Sequence, residues 1–452
     1  MLLSREWPLG KGPHRQTCGR QSSLTNSEFL LIQVICIATM LHLLLALGMF
    51  GLVTSTVYTA IVVAGVLHFR RQRAVGDPSF CPPVSLLKPL HGTEPNLAEH
   101  LAGFFEQDYP QYEILFCARQ QNDAGLKIAR EVAARYPAIP ARFLTSGEPP
   151  FANAKVASLD CMAAAARHSI LVVSDSDVRV TPQYLRAVVA PFAEKEVGMV
   201  TCPYRGVPSP ASPTDKRRAA ALWAQLEGAG MSIEMTAGVM VANLLEGMKF
   251  ALGPTMAVRS SCVEEMGGFR VLGQYCADDF LLGNLVAAKG HRVVFSHHAI
   301  DHIVLNTGFV DSMRHQVRWS KSTRFSRPKG HFGTSLTFSM PFALLACAAA
   351  LCLHWPWIAA ASLAWGIVMR MLLAAIVGAA VVQERSLART MLLFPLRDLM
   401  GFGFWVASYG SSKILWRGEQ YVLEKGGYMR SLHGASAKAA TEPAERESAL
   451  TI

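Results

Sequence analysis

Two carboxylates stand one residue apart at the end of a predicted buried strand. The strand is the apolar run at residues 170–173, and Asp175 and Asp177 follow it closely. Carboxylates at this spacing can share a divalent cation such as Mg²⁺ or Mn²⁺, which prefers oxygen ligands and often keeps phosphates as further partners. Open α/β sheets bind ligands at this carboxyl edge. The pair therefore predicts a metal–diphosphate site; taken alone, it could also be a solvated acidic turn.

More residues suited to chemistry occur at the ends of other predicted strands and helices. They are Lys88 and Asp123 after the first two strands, Asp278 and Asp279 at the start of a later helix, and Arg318 and Trp319 before an apolar segment. Glycosyl transfer from a nucleotide sugar uses these residue types. Asp123 could hold the uracil or ribose, Asp279 could take the proton of an acceptor hydroxyl, and Arg318 could bind the departing diphosphate.

Each of these residues also has a simpler interpretation when it is considered singly. Asp278 and Asp279 could cap a helix, where the helix dipole favours negative charge. Arg318 and Trp319 could anchor the chain at a membrane interface, where both residue types are common. The functional interpretation rests on the order and spacing of the whole set.

The elements that must position these residues lie between residues 80 and 330. Short apolar runs alternate there with amphipathic helical stretches, such as 97–105 and 126–136. The predicted strands are 84–87, 112–117, 141–144, 170–173, 197–201 and 256–258. This alternation predicts an α/β domain with a mostly parallel sheet that is covered by helices on both faces.

Apolar segments flank the predicted α/β domain. With 51% hydrophobic and 17% charged residues, the chain suits a protein with both membrane spans and a soluble domain. Residues 29–69 lack Asp, Glu, Lys and Arg, and they are long enough for one or two spans. Two interpretations stay open: a hairpin that turns near residues 48–51, or a single span with translation starting at Met40. About three further spans are predicted within 334–410, at 334–353, 357–382 and 387–409. Arg370 lies inside the second of them, either paired or functional, or snorkelling from a span edge.

The distribution of charge predicts the topology and the partners. Arg70, Arg71 and Arg73 follow the first apolar segment, which places the α/β domain in the cytosol by the positive-inside rule. The net charge of +10 is assigned to the membrane surface, since the sequence contains no nucleic-acid-binding motif. Residues 1–28 are assigned to an N-terminal tail and 411–452 to a cytosolic or disordered tail. The ten scattered cysteines favour reduced thiols over a disulfide framework.

One further cluster could suggest zinc. His297, His298, Asp301 and His302 lie within six residues, but no cysteine or distant histidine completes a tetrahedral set. We expect these residues to form a polar edge of the sheet instead.

The sequence resembles the ceramide glucosyltransferases, a membrane-bound branch of the inverting, family 2-like glycosyltransferases with the GT-A fold. The resemblance is close over residues 84–319 and continues loosely to about residue 423. The motifs that carry it are Val-Ser-Leu-Leu-Lys-Pro-Leu at 84–90, Phe-Phe-Glu-Gln-Asp-Tyr-Pro at 104–110, Asp-Ser-Asp-Val-Arg-Val at 175–180, Gln-Tyr-Cys-Ala-Asp-Asp at 274–279 and Arg318-Trp319.

The resemblance implies roles for individual residues. Lys88, Asp123, Lys155 and Asp175 would bind the donor, and Asp279 would be the base, with Asp278, Arg318 and Trp319 completing the catalytic set. Asp175 would hold the divalent cation together with Asp177, whose role follows from the spacing of the pair, since some family members lack a carboxylate at this second position. The family has Gln or Arg four residues before the tryptophan of its closing motif. Here His315 occupies that position and Gln316 follows it, so the sequence departs from the pattern at this point.

The resemblance also implies a reaction: transfer of one sugar, with inversion, from a UDP-sugar to a lipid hydroxyl at the bilayer surface. UDP-glucose and ceramide are the expected substrates. A related bacterial branch that transfers N-acetylglucosamine to hopanoid lipids is one alternative, and a processive polysaccharide synthase is another. A non-catalytic membrane transporter or anchor is the alternative from a different functional class.

Overall fold

The structure, a computed structural model, describes residues 26–72, 76–209, 218–305, 308–416 and 418–432. The strands are β1 (Val84–Pro89), β2 (Tyr112–Ala118), β3 (Ala141–Thr145), β4 (Ile170–Ser174), β5 (Val178–Arg179), β6 (Val197–Thr201), β7 (Tyr204–Pro208), β8 (Thr255–Arg259), β9 (Arg292–Phe295), β10 (Ile300–Val304), β11 (Lys413–Trp416), β12 (Glu419–Leu423) and β13 (Met429–Ser431).

The helices alternate with these strands in the first part of the chain and follow one another in the last. They are α1 (Asn26–Arg71), α2 (Leu97–Phe105), α3 (Ala124–Ala133), α4 (Ala154–Ala165), α5 (Tyr184–Val189), α6 (Arg218–Ala229), α7 (Thr236–Glu246), α8 (Ser260–Glu265), α9 (Asp278–Ala288), α10 (Phe309–Ser326), α11 (Pro328–Thr334), α12 (Met340–Cys352), α13 (Pro356–Val377) and α14 (Leu387–Ala407). A π-helical segment, Gly230–Met235, joins α6 to α7.

A seven-stranded sheet, in the order β3-β2-β1-β4-β8-β6-β9, forms the centre of the α/β domain. All neighbouring pairs are parallel except those of β8, which runs antiparallel to both β4 and β6. The expected mostly parallel α/β sheet is therefore confirmed. The carboxyl ends of β1, β2, β3, β4, β6 and β9 meet at one edge, where the side chains that follow these strands come together.

Two apolar layers cover the sheet. The strands β1, β2 and β4 are buried at every position, as is typical of strands with helices on both faces. Leu86, Ile114 and Val172 point to the layer that contains α2, α3 and α5. Their chain neighbours Leu87 and Leu171 point to the other layer, which contains α4, α8 and α9.

The N-terminal apolar segment is one unbroken helix, α1, of 46 residues. The hairpin interpretation is therefore wrong. Gly48 serves a close helix crossing, since a Cβ on it would lie only 2.7 Å from the backbone nitrogen of Ala346 in α12. Arg70 and Arg71 end the helix as expected, whereas Arg73 lies outside the described residues.

Three helical segments in the described part of the chain are long and apolar enough to cross a membrane: Ile32–Arg71, Leu222–Glu246 and Pro356–Val382. This composition is that of a membrane protein. The second segment spans α6 and α7, and the sequence analysis had placed it inside the α/β domain. Conversely, α12 has 13 residues, fewer than the roughly 20 of a simple span.

The arginine inside the third apolar segment is paired and does not snorkel. Arg370 is 2% exposed, and its guanidinium lies 3.2 Å from the Asp398 carboxylate in α14 and 3.1 Å from the Thr59 hydroxyl in α1. The other Asp398 oxygen accepts hydrogen bonds from the backbone N–H groups of Ser339 and Met340, at 2.9 and 2.8 Å. The pair thus ties together the apolar helices α1, α13 and α14.

The residues assigned to a C-terminal tail begin with ordered structure. The strands β11, β12 and β13 form a small antiparallel sheet, and residues 433–452 lie outside the described part. This sheet docks on the α/β domain: the N–H of Cys276 donates to the carbonyl of Gly427 at 3.0 Å, and the N–H of Met429 donates to that of Gln274 at 2.7 Å. It therefore contacts the loop that leads into Asp278 and Asp279.

Candidate active site

Lys88 is buried beneath the carboxyl edge of the sheet. Its ammonium donates a hydrogen bond to the backbone carbonyl of Asp175, lies 3.4 Å from the Ser174 hydroxyl, and stands 3.8 Å from the centroid of the Phe104 ring. Burial lowers the pKa of Lys88 to about 7. The lysine thus fixes the backbone at Asp175 from below and, in this structure, contacts the main chain of the predicted donor site.

Lys155 lies among the predicted carboxylates. Its ammonium is 2.6 Å from Oδ1 of Asp175 and 3.7 Å from Oδ2 of Asp278. Burial alone would lower the pKa of Lys155, but the charges of Asp175 and Asp278 outweigh it and raise the pKa. Lys155 is therefore a cation at the centre of the cluster, where a diphosphate would need positive charge.

Asn153 explains how Lys155 and Asp278 are held together. The asparagine is fully buried and caps α4 by accepting hydrogen bonds from the N–H groups of Lys155 and Val156. Its amide also donates to the carbonyl of Tyr275 at 3.0 Å and to Oδ1 of Asp278 at 3.4 Å. An N-cap preference is visible in the sequence, but this second contact across the site is not.

Asp279 faces Asp175 across Gly253. The N–H of Gly253 donates to Oδ2 of Asp279 at 2.7 Å. A Cβ on Gly253 would lie 3.0 Å from that oxygen and 3.8 Å from Oδ2 of Asp175, so the two carboxylate oxygens are less than 7 Å apart. Burial, assisted by the charge of Asp278, raises the pKa of Asp279 to about 6. A carboxyl with a pKa close to the working pH is suited to general base chemistry.

Asp177 lies beside His302, a histidine that the sequence analysis assigned to a polar edge. The His302 Nε2 is 3.1 Å from Oδ2 of Asp177. Burial alone would raise the pKa of Asp177, but the neighbouring His302 lowers it to about 2. Burial would lower the pKa of His302, and the charge of Asp177 reverses this and raises it.

A cation site at Asp175 and Asp177 needs carboxylate oxygens that no other group of the protein occupies. Oδ1 of Asp177 is buried and has no hydrogen-bond partner among the described residues. In the same part of the chain, no three His, Cys, Asp or Glu side chains are grouped as metal ligands. The unpartnered Asp177 oxygen is the atom that could accept a cation, whereas Oδ1 of Asp175 is paired with Lys155; a Mg²⁺ ion here would keep water and phosphate oxygens as most of its ligands.

Asp123 lies at the same edge, but its carboxylate is already engaged by backbone N–H groups. It caps α3 by accepting from the N–H groups of Gly125 and Leu126, at 2.8 and 3.2 Å. Its other oxygen accepts from the N–H of Gly92 at 2.9 Å. Contact with a uracil or ribose stays a prediction. The hydrogen bonds from Gly92, Gly125 and Leu126 give this aspartate a structural role that joins the loops after β1 and β2.

Arg318 and Trp319 lie on α10, beside the loop that precedes Asp278. The Arg318 guanidinium is 5.8 Å from the centroid of the Trp416 ring in the C-terminal sheet. Burial raises the pKa of the Cys276 thiol, and the nearby charge of Arg318 opposes this rise. Trp319 packs against the main apolar core. The structure thus brings Arg318 to the same side of the site as Asp278 and Asp279.

His315 and Gln316 make polar contacts with α6 and within α10. His315 Nδ1 is 2.7 Å from Oε1 of Glu227 in α6, and the Gln316 amide donates to the Ser312 hydroxyl at 3.0 Å. Ser312 in turn donates to Oε2 of Glu227 at 2.6 Å. Sequence reasoning missed Glu227, although an acidic residue inside the apolar run 222–246 was a visible signal.

The suspected zinc cluster is dispersed. Asp301 forms ion pairs with Arg179 and Arg205, at 2.9 and 2.7 Å, whereas His302 turns to Asp177. His297 stacks on Phe69 at a centroid distance of 4.1 Å. These side chains form a polar edge, as expected.

Comparisons with known proteins agree with the resemblance in the sequence. Ceramide glucosyltransferase 1 of Caenorhabditis elegans is 28% identical over 224 residues, which are 49% of this chain and 45% of the relative. Ceramide glucosyltransferase 3 of the same organism is 24% identical over 245 residues, 53% of this chain and 50% of the relative. The chain thus spans about half the length of the curated relatives that it matches.

One solved structure that resembles this chain is a mannosyltransferase from Pyrobaculum calidifontis in complex with GDP-Man and Mn²⁺. It is 16% identical, with a TM-score of 0.44, and the match covers 78% of this chain and 98% of that chain. This likeness is too weak to bear on function. The sequence model of glycosyl transferase family 21 matches residues 47–429. Together with the mostly parallel α/β sheet, this match confirms the expected GT-A glycosyltransferase domain joined to apolar helices. Because the match covers well over half of the sequence, the chain belongs to glycosyl transferase family 21.

Proposed function

We propose that this protein transfers one sugar from a UDP-sugar to a hydroxyl of a membrane lipid, with UDP-glucose and ceramide as its substrates. The observation that carries the proposal is the position of Asp279, which faces Asp175 across Gly253 beside the Lys155 ammonium. A candidate base thus lies next to a candidate diphosphate site. The names of the curated relatives support ceramide as the acceptor.

Asp279 would act as the base. Two backbone N–H groups, those of Gly253 and Phe280, hold its oxygens at 2.7 and 2.8 Å, so the carboxylate is oriented before substrate binds. With a pKa of about 6, about nine-tenths of the carboxyl groups are ionised at pH 7, yet they remain basic enough to accept a proton in the transition state.

The reaction is one displacement at the anomeric carbon. The lipid hydroxyl oxygen forms a bond to that carbon while its proton passes to Asp279. The bond from the carbon to the diphosphate oxygen breaks, and UDP leaves with the electron pair, so the configuration is inverted. Lys155 and Arg318 supply positive charge for the departing diphosphate. A divalent cation held by Asp175 and Asp177 would add a Lewis acid at the same oxygens.

The apolar helices would bring the lipid to this site. Arg70 and Arg71 end the first apolar segment, and the positive-inside rule supports a cytoplasmic position for the α/β domain that follows. The protein would then be a multi-pass membrane protein whose active site faces the cytoplasmic leaflet.

A donor-by-acceptor assay tests the proposal. The purified full-length protein is offered UDP-glucose or UDP-N-acetylglucosamine, each with ceramide, diacylglycerol or a hopanoid, and lipid products are identified by mass spectrometry. We expect ceramide carrying a single glucose. A hopanoid product would replace the proposed substrates, products with several sugars would indicate a processive synthase, and no product with any pair would favour a non-catalytic protein.

Two matched variants test the role of Asp279. Asp279→Asn should abolish transfer while UDP binding stays close to that of the natural protein, because the amide keeps the shape but cannot take a proton. Asp160→Asn makes the same chemical change in a surface pair with Arg270, and it should retain transfer. Ordinary turnover by Asp279→Asn would show that another group is the base.

A further inference from the structure

Glu227 is a buried carboxylate that no step of the proposed reaction uses. It lies on α6, is 1% exposed, and accepts hydrogen bonds from two side chains of α10. The Ser312 hydroxyl is 2.6 Å from one carboxylate oxygen and His315 Nδ1 is 2.7 Å from the other. Ser312 and His315 are three residues apart and therefore lie on one face of α10. Glu227 thus joins α6 to one face of the helix that carries Arg318.

Some apolar side chains of α10 do pack on neighbouring groups, Trp319 on the main apolar core and Phe309 on Trp223, but the fully buried face of the helix is polar. Of its 18 residues, only Ser312 and Gln316 are buried. Both are polar, and Gln316 donates to Ser312 at 3.0 Å. An apolar stripe normally decides which face of a helix turns to the core. Here the fully buried strip is polar, so its hydrogen bonds to Glu227 help to set the rotation of the helix.

The rotation of α10 determines where its closing motif points. His315 packs on Trp319, with 4.3 Å between ring centroids, so the Glu227 contact is passed on to the next turn of the helix. Arg318 directly precedes Trp319, and a turn of the helix by one residue position swings its side chain by about 100°. We propose that Glu227 is a positioning residue: through Ser312 and His315 it sets the rotation of α10 and thereby holds Arg318 at the diphosphate of the donor. This inference rests on the proposed function, in which Arg318 binds the leaving group.

Glu113 provides a matched control, because it is the same kind of buried group at a remote place. It is 2% exposed and accepts hydrogen bonds from the Ser85 hydroxyl and the Arg167 N–H, both at 2.8 Å. It lies near the start of β2, at the end of the sheet opposite the site. Loss of the Glu113 charge should lower the stability of the protein without changing its affinity for the donor.

The test compares affinities for UDP and UMP in the full-length protein with the substitutions Glu227→Gln, Glu113→Gln and Arg318→Gln. UMP lacks the second phosphate, so the ratio of the two affinities reports the diphosphate contact and cancels general losses of folded protein. We expect Arg318→Gln and Glu227→Gln each to reduce the preference for UDP by about tenfold or more, since small displacements of a positioned group cost this much. Glu113→Gln should leave the ratio unchanged, even if its unfolding temperature falls. If Glu227→Gln does not fold, Ser312→Ala removes one of the two contacts and should shift the ratio in the same direction by a smaller factor.

The outcomes separate this inference from the proposed function. If Arg318→Gln reduces the preference for UDP but neither Glu227→Gln nor Ser312→Ala does, Glu227 has no positioning role and the proposed function stands. If Arg318→Gln leaves the ratio unchanged, the diphosphate role of Arg318 is wrong, and the inference about Glu227 falls with it.

Discussion

The pH profile of turnover should shift in opposite directions when the two charged neighbours of Asp279 are neutralised. Asp278 raises the pKa of Asp279 and Lys155 lowers it, on top of the larger effect of burial that brings it to about 6. Only the ionised carboxylate can act as a base, so kcat should fall about tenfold for each pH unit below this value. Asp278→Asn removes a negative neighbour and must lower the midpoint. Lys155→Met removes a positive neighbour and must raise it.

The size of the shift follows from Coulomb's law. For a neighbouring unit charge at an assumed distance of roughly 7 Å, an effective dielectric constant of about 20 gives about 2 kcal/mol. Residual solvent screening reduces such an interaction, so we expect a shift of about one pKa unit, or about 1.4 kcal/mol. A midpoint near 5 in Asp278→Asn would leave about half of the plateau rate at pH 5, where the natural protein keeps about a tenth. A midpoint near 7 in Lys155→Met would leave about a tenth of its own plateau at pH 6.

The assay measures initial rates of lipid glycosylation at saturating donor and acceptor, with a fixed concentration of divalent cation. Each variant is normalised to its own plateau, so that the loss of donor contacts in Lys155→Met does not affect the midpoint. Asp160→Asn serves as the control, since it makes the same change at a surface ion pair on α4. Midpoints that stay in place, or that move in the same direction in both variants, would refute Asp279 as the titrating base.

Three further predictions concern the metal site, the glycine between the carboxylates and the buried arginine. Asp175→Ala should remove the cation-dependent part of the affinity for UDP; calorimetry with and without Mn²⁺ checks this, and an undiminished cation effect would contradict it. Gly253→Ala places a Cβ 3.0 Å from Oδ2 of Asp279 and should lower kcat by roughly 10–100-fold. The control Gly238→Ala, where a Cβ meets nothing within 4 Å, should keep its kcat. Equal kcat values for the two variants would show that a side chain at residue 253 does not displace Asp279. Arg370→Met leaves a buried carboxylate unpaired and should cost about 3–5 kcal/mol; an unchanged unfolding temperature in the same detergent would show that the pair contributes little.

The contrast between Asp123 and Asp279 shows that a motif can predict the position of a residue but not its contacts. Both aspartates were predicted from their positions at the ends of strands or at helix starts, and both lie at the expected edge. The carboxylate oxygens of Asp123 accept hydrogen bonds from three backbone N–H groups. The Asp279 carboxylate faces a second carboxylate across a glycine. The spacing of residues along the chain is the same kind of signal in both cases, and only the surrounding chain distinguishes them.

The membrane-facing part was harder to predict, because hydropathy measures length and composition but not contacts. The apolar run of α1 was visible in the sequence. Its close crossing with α12 at Gly48 was not. Likewise, the apolar segment Leu222–Glu246 lies inside the region that strand and helix patterns assigned to the α/β domain. Its residue Glu227 contacts Ser312 and His315 of α10, which lie 85 and 88 positions further along the sequence.

The sequence by itself determined the α/β class, the first and last apolar regions and the candidate polar residues of the site, because these depend on local periodicity and on residue type. The tertiary structure decided what those residues contact. It turned β8 antiparallel, packed the C-terminal sheet against the loop before Asp278, and placed Lys155 between two carboxylates. It also brought Glu227 to α10. Such contacts arise when distant segments fold together, and burial there raises the pKa of Asp279, which local sequence does not encode.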